Sequence, residues 1–565
     1  MIVSSYMKKP CVQNVQVIVF KQIKAFALAG QALWRYVGTN QNQKETTMTR
    51  IAYHLSRLRH EVMLSTAPSR WMMALVVGVT LSQIISHYPA RPSVSPEILA
   101  ALPQNPNELS EADHTLYRMI FAAQERGEFS AADTMISELS NSQLLGHVLA
   151  NRYLNTAYNA SASELRNWLV NYNDHPETTR MVVLAEQKGI TNAAAYKTGD
   201  TLRGEGYVDH LGRTAMPDSW YRGLRLWREH NYSAAAPIFA KVAADENLSE
   251  WQRAAGYYWA FRADSRRGAR SSAHSNLAAA AEFKTTFYGL LASRQLGRVA
   301  FTANAPSVSS TLRNQPGSIR AGLLASLGRT EDAENELRRL YMGADLDQRA
   351  GVVTLASELG LSNLQVRLAK MPQLAADEAM FANYPIPRVM VEAQTAVDPA
   401  LLLAIARNES SFRVDAKSGS GAVGMMQMMP STARAVERHA SNNGLELASA
   451  SNTAQPMAER LSDPKMSVRF GAKYVSILMN EPAINGNLVR LLAGYNAGPG
   501  AVAAWQSAAK PIDDPLLYVE SIPYAETRNY VMQVMAQYWV YQNLLGEDAP
   551  TLTAMARGQW PHING

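Results

Sequence analysis

A glutamate on the apolar face of a helix is a candidate acid, and Glu409 is placed to be one. Asp398 followed by Pro399 is a strong helix start, since proline has no N–H to leave unsatisfied at the first helical position. The chain continues LLLAIARNESSF, and Leu402, Ile405, Ala406 and Glu409 fall at i, i+3, i+4 and i+7. Burial penalises the ionised form of a carboxyl, so such a group keeps its proton to higher pH and suits general acid catalysis near neutrality. The bland alternative is an ion pair with a neighbouring cation, Arg407 or Arg413. Asp415, a few residues further on in a loop, is the nearest other carboxylate.

Three further segments surround this helix with groups that suit a sugar. Ser418 to Pro430 reads SGSGAVGMMQMMP, in which Gly419, Gly421 and Gly424 let the backbone come close to a ligand. Gln427 is a neutral donor and acceptor matched to amides and hydroxyls. Met425, Met426 and Met428 read as core. Ala493 to Gly500 reads AGYNAGPG, a helix end that presents Tyr495 and Asn496. VESIPYAETRNYV then leads into an apolar closing helix with Tyr530, Val534, Tyr538 and Tyr541.

The order ESSF, GAVGMMQMMP, GYNAGPG, ESIPYAETRNYV resembles the catalytic domain of the soluble lytic transglycosylases over about 390–550, and more loosely the large, superhelical members over about 110–385. The resemblance implies a lysozyme-like helical domain that cleaves the β-1,4 bond between N-acetylmuramic acid and N-acetylglucosamine without water, as a peptidoglycan lyase. It implies Glu409 as the single catalytic acid/base and Tyr495 as the tyrosine whose hydroxyl lies near it. Ser418, Gln427, Met429 and Asn496 then line the glycan groove, and Glu526 is the second acidic position, towards the stem peptide or a neighbouring sugar. Glu520 reads as structural. Two positions depart from the family's pattern: Met425 replaces a leucine at little volume cost, and Gly494 replaces an alanine, which is expected to loosen the helix end carrying Tyr495. A hydrolase on the same scaffold would need a second carboxylate, for which Asp415 is the nearby offer.

These groups need a scaffold, and the sequence predicts an all-α one. Between about 110 and 375 amphipathic stretches alternate with short breaks. Arg126 to Leu139, Glu229 to Val242 and Leu327 to Leu340 each show a turn, a small-residue patch and an apolar-spaced helix. The pattern resembles degenerate tetratricopeptide-type helix pairs, which bury their faces only by stacking into a continuous superhelix. Tyr257, Trp259, Phe261, Phe287 and Tyr288 read as gap fillers between helices, with a sugar-stacking surface as the sharper alternative. Pro385 and Pro387 break any helix crossing from the middle region into the catalytic one. The expected domains are a leader over 1–95, an α-superhelix over 96–380 and a catalytic domain over 388–565.

In the leader, an apolar run at 71–85 follows Arg50, Arg57, Arg59 and Arg70, which reads as an export signal or an inner-membrane tether. A second methionine, Met48, would begin a more ordinary signal. The expected location is the periplasm or envelope of a Gram-negative bacterium. The net charge of +6 favours an acidic polymer only weakly, and no basic stripe with interleaved aromatics marks a nucleic-acid partner. Peptidoglycan glycan strands are the expected partner; protein partners are left open. Cys11 is the only cysteine, which rules out an internal disulfide framework. The histidines show no HExxH-like spacing, so neither a metal nor an organic cofactor is expected.

Overall fold

The computed structural model describes residues 109–196, 215–298, 303–370, 374, 376–393, 395–442, 455–508 and 512–563. The leader, with its apolar run at 71–85, Cys11 and Met48, lies outside these residues. All the described residues belong to one compact unit, Val94–Gly565. Among them the secondary structure is helical, with isolated β-bridges and no strand, and no helix is long and apolar enough to cross a membrane.

The three similar segments are the second helices of three pairs: Glu111–Glu125 with Phe129–Ser137, Asp218–Arg228 with Tyr232–Ala244, and Pro316–Ser326 with Thr330–Gly343. One device makes all three turns. The first helix ends on a left-handed residue, Gly127, His230 or Gly328. The next N–H then reaches back to a carbonyl five residues earlier: Glu128 to Ala123, Asn231 to Leu226, Arg329 to Leu324. This satisfies carbonyls orphaned at the helix end and reverses the chain within two residues. His230 adopts at φ 58° the conformation that glycine takes in the other two, so the middle repeat is hidden from a search for glycine.

The pairs do not stack simply in chain order. Residues from Tyr117 to Val148 share an apolar core with Leu312 to Ala382, a second core lies within Ala150 to Ala193, and the third joins Trp220 to Ala292 to the C-terminal region from Met390 to Ala556. The middle pairs therefore bury their faces against the C-terminal helices. Phe287 stacks on Trp539 of the closing helix, Ala525–Leu544, with ring centroids 5.3 Å apart and planes 23° apart. Trp259 Nε1 donates to the Tyr288 hydroxyl at 2.9 Å, and that hydroxyl donates to Glu520 at 2.6 Å. Arg262 bonds Asp514 at 2.6 Å while lying over the rings of Trp227 and Trp259. Trp259, Phe287 and Tyr288 are thus gap fillers, buried between the helical layers.

The FYGLLA segment fits tightly here. A Cβ on Gly289 would lie 1.9 Å from the Phe283 carbonyl oxygen, so only glycine allows the helix Phe287–Gln295 to start against the preceding turn. Removing the Tyr288 hydroxyl (Tyr288→Phe) leaves the buried Glu520 without its donor. The expected cost is about 2 kcal/mol in urea unfolding, with the far-UV spectrum unchanged; a loss below a few tenths would show that the hydroxyl is not buried between the layers.

Candidate active site

The helix that carries Glu409, Pro399–Ser410, is buried on every side from Ala400 to Arg407. Its cap is the predicted one: the Asp398 carboxylate accepts from the Ala400 N–H at 2.8 Å. The other carboxylate oxygen accepts from the Tyr538 hydroxyl at 2.6 Å, which ties the cap to the closing helix. Both arginines that could have neutralised Glu409 are engaged elsewhere. Arg407 donates to the Asn383 carbonyl at 2.7 Å, and Arg413 faces Asp415 at 3.5 Å.

Beyond Glu409 the chain turns through two successive left-handed non-glycine residues, Ser411 at φ 51° and Phe412 at φ 66°. Each costs on the order of 1 kcal/mol or more, and surrounding contacts must hold them. Phe412 is buried in the core, Asn363 donates to the Ser411 carbonyl at 3.1 Å, and Ser410 donates to the Met425 carbonyl at 2.9 Å. The last of these fixes the loop relative to the Glu409 helix.

The loop from 416 to 429 is stitched by bridges from Val423 to Lys417 and Met428. Gly424, at φ 80°, is needed for packing against the chain itself: a Cβ there would lie 2.0 Å from the Leu461 carbonyl oxygen. Gln427 directs its amide nitrogen to the carbonyls of Ala416 at 3.1 Å and Gly424 at 2.9 Å. Its donors serve the loop, which leaves the amide oxygen for a ligand. Ser418 is exposed and its hydroxyl accepts from the Ala422 N–H at 2.9 Å, closing a turn. Met425, Met426 and Met428 are buried, whereas Met429 is 39% exposed.

Tyr495 lies in the last turn of the helix Leu488–Ala497, which breaks after Asn496, at Gly498 with φ 87°. Its hydroxyl donates to the Met426 carbonyl at 2.8 Å, and its ring meets Tyr474 at 5.4 Å. Gly494 sits inside this helix. It is buried, and a Cβ there would lie 2.8 Å from Ile484 Cδ1, so the isoleucine fills the space an alanine would take. Asn496 is exposed and accepts from Thr527 at 2.7 Å, joining this helix to the closing one.

Glu409 is half-buried, set deep in protein but still open to solvent. Burial pushes its carboxyl up to about 7; the Tyr530 hydroxyl pulls the other way, and the charge of exposed Glu526 adds to the rise. Tyr530 is buried, its hydroxyl has no hydrogen bond of good geometry, and its own ionisation is pushed well up by burial and by Glu409. Burial and the Glu409 charge do the same to Tyr495. The site therefore brings together Glu409, Tyr495, Tyr530 and Glu526. Sequence reasoning places Tyr530 only in the closing helix and misses it as a site residue; its signal is the i, i+4 spacing from Glu526 on the first turns of that helix. Asp415 is 79% exposed at its side chain and faces Arg413.

Gly424→Ala is expected to destabilise the chain by about 3 kcal/mol in urea unfolding, because left-handed strain and a backbone clash add. The folded Glu409 binds its proton more tightly than an unfolded carboxyl of ordinary value 4.5, so it costs stability as pH rises from there through 7. The gain in Tm of Glu409→Gln over the native chain should therefore be larger at pH 8 than at pH 5; an equal gain at both would mean the carboxyl titrates normally.

The family described as "Transglycosylase SLT domain" matches residues 389–515, and "Soluble lytic transglycosylase helical domain" matches 521–550. The soluble lytic murein transglycosylase of Escherichia coli is 35% identical over 158 residues, 28% of this chain and 22% of that protein. That of Salmonella typhimurium is 25% identical over 373 residues, 63% of this chain and 52% of that one. Membrane-bound lytic murein transglycosylase C of Photorhabdus laumondii is 31% identical over 155 residues, 24% of this chain and 41% of that protein. The chain thus spans about half or less of the length of these relatives. Among solved structures, the 70 kDa soluble lytic transglycosylase SLT70 of Escherichia coli matches with a TM-score of 0.52 at 17% identity, covering 81% of this chain and all of that one. The complex of the 70-kDa soluble lytic transglycosylase with bulgecin A matches with a TM-score of 0.52 at 18% identity, over the same shares of the two chains. Both share the fold, a helical superstructure followed by a lysozyme-like domain. Residues 389–515 are thus similar to the transglycosylase SLT domain, and 521–550 to the soluble lytic transglycosylase helical domain.

Proposed function

We propose that this chain is a peptidoglycan lytic transglycosylase in which Glu409 acts alone as acid and base. The carrying observation is a half-buried carboxyl raised to about 7, with the neighbouring arginines turned to other partners. Protonated Glu409 gives its proton to the oxygen between N-acetylmuramic acid and N-acetylglucosamine as the C1–O bond breaks. The substrate's acetamido oxygen shares the positive charge at C1. The muramoyl C6 hydroxyl then closes on C1, and the Glu409 carboxylate takes its proton, which restores the acid and leaves a 1,6-anhydro end.

Tyr495 and Tyr530 border the carboxyl and keep it poorly hydrated. Met429, Asn496, Ser418 and the free oxygen of Gln427 offer the groove surfaces for sugars, and Glu526 faces the bound strand or its peptide. Hydrolysis is disfavoured because Asp415, the carboxylate that would activate water, is exposed and faces Arg413. The basic flank and apolar run at 71–85 support export to the envelope, and the relatives carry both soluble and membrane-bound names.

The test is mass spectrometry of muropeptides released from purified sacculi by the full chain. Anhydro-muropeptides are expected, with at least about a thousandfold less from Glu409→Gln. Reducing muropeptides would overturn the mechanism in favour of hydrolysis. No release from a folded native chain would overturn the enzyme reading. The rate of cleavage should also fall towards tenfold per pH unit above about 7 as Glu409 loses its proton, measured with substrate well below saturation so that the profile reports the free protein; a flat profile to pH 9 would exclude Glu409 as the acid.

A further inference from the structure

A second group of titratable side chains is buried in the helical superstructure and takes no part in the Glu409 site. His147 comes from the helix Leu145–Tyr153, His175 from the turn before the helix Thr178–Gln187, and Glu336 from the helix Thr330–Gly343. They are 3%, 3% and 1% exposed. One potential ligand atom of each lies within 4.8 Å of the other two, and His147 Nε2 is 2.7 Å from a Glu336 oxygen. The three are 28 and 161 residues apart in the chain, which is why no motif reveals them.

The carboxylates around the histidines set their tautomers. His147 Nδ1 lies 3.2 Å from Glu177, and His175 Nδ1 lies 2.9 Å from Asp174. In His175 the carboxylate on Nδ1 makes that nitrogen the donor and leaves the Nε2 lone pair free, as for most metal-bound histidines, whereas His147 has a carboxylate at each nitrogen. His175 Nε2 is buried and has no hydrogen-bond partner. The chain makes room for it with Gly146, whose added Cβ would lie 2.2 Å from that nitrogen.

We propose that His147, His175 and Glu336 bind a divalent transition-metal ion of the zinc type, through two imidazole nitrogens and one carboxylate oxygen. His147 faces carboxylates at both nitrogens, so the ion would take the place of the proton between its Nε2 and Glu336, while Arg320 bonds Glu336 and Asp174. The ligand types suit zinc. Bond lengths of about 2.0 Å set tetrahedral ligands about 3.3 Å apart, so the ion would open the His147–Glu336 contact slightly and draw His175 inward. Arg320 and the two Nδ1 partners then orient the ligands from outside.

The test uses the full chain, stripped with chelator, loaded with zinc, desalted and assayed for metal, beside His175→Phe and Gly146→Ala. The phenylalanine keeps a ring between Trp168 and Tyr172 but removes the nitrogen. The native chain should retain about one zinc and each variant at least tenfold less, with a Tm rise on loading seen only in the native chain. Equal retention by native chain and folded variants, or none by the native chain, would overturn the site. Cobalt loading of the native chain decides the matter even if the variants fail to fold. Intense visible bands of a low-coordinate nitrogen–oxygen site support it, and only weak six-coordinate absorption overturns it.

Discussion

The constraint on which the rest depends is the burial of one carboxyl without a neutralising cation. A glutamate at the end of a helix would ordinarily attract the arginine one turn away or sink into solvent. Here the helix below it is enclosed from Ala400 to Arg407, so the glutamate cannot swing out without unpacking the core. Arg407 is drawn off to Asn383, across the junction between superhelix and catalytic region. The chain beyond Glu409 is forced into two left-handed residues, which aim it into the methionine-rich loop rather than onwards as helix. Strain of this kind persists only where surrounding contacts over-determine it, and Asn363, Phe412 and the Ser410–Met425 hydrogen bond supply those contacts.

That enclosure is shared with the helical superstructure. The middle helix pairs contribute Trp259, Phe287 and Tyr288 to the same apolar core as the Glu409 helix and the closing helix. The line from Trp259 through Tyr288 to Glu520 is a buried polar connection between the two parts, satisfied at each step. Buried polar groups of this kind penalise any relative displacement of the parts, because moving one strands the other. Arg294 on Thr553 and Gln295 on the Ala556 carbonyl extend the contact to the last helix, Pro550–Ala556. The superstructure thus serves the site as a wall.

Much of this is legible in the residues. The Asp398 cap, the apolar stripe ending at Glu409 and the proline break near 385 depend on local rules, and local rules survive into the fold. The glycines are legible as glycines but not in their purpose. Gly424 meets the Leu461 carbonyl and Gly494 meets Ile484, both from elsewhere in the chain, so these two serve packing, whereas Gly419 and Gly421 have open space where a side chain would stand. Gln427 is visible as an amide, whereas the two carbonyls its nitrogen serves depend on the loop's path. Tyr530 escapes notice because a tyrosine in an apolar helix reads as core, and what distinguishes it is the partner across the space. The stacking order of the helix pairs is hidden for a like reason: amphipathic faces declare that they must be covered without declaring by what.

A raised pKa does not by itself mark the acid. Burial also pushes up Glu520, and it pushes Glu547 up to about 7 beside the charge of Asp398. Glu520 is fully enclosed and accepts the Tyr288 hydroxyl, so it has no open face from which a substrate could take a proton. Glu547 comes just after the closing helix, where its neighbour Asp398 is already committed to the cap of the Glu409 helix and to Tyr538. Glu334, also raised by burial, lies beside Arg338. Glu409 combines the desolvation and an open side with a flanking pair of tyrosines. An acid for glycoside chemistry must hold its proton and also release it to something that can reach it, and the second requirement sets Glu409 apart from the enclosed Glu520.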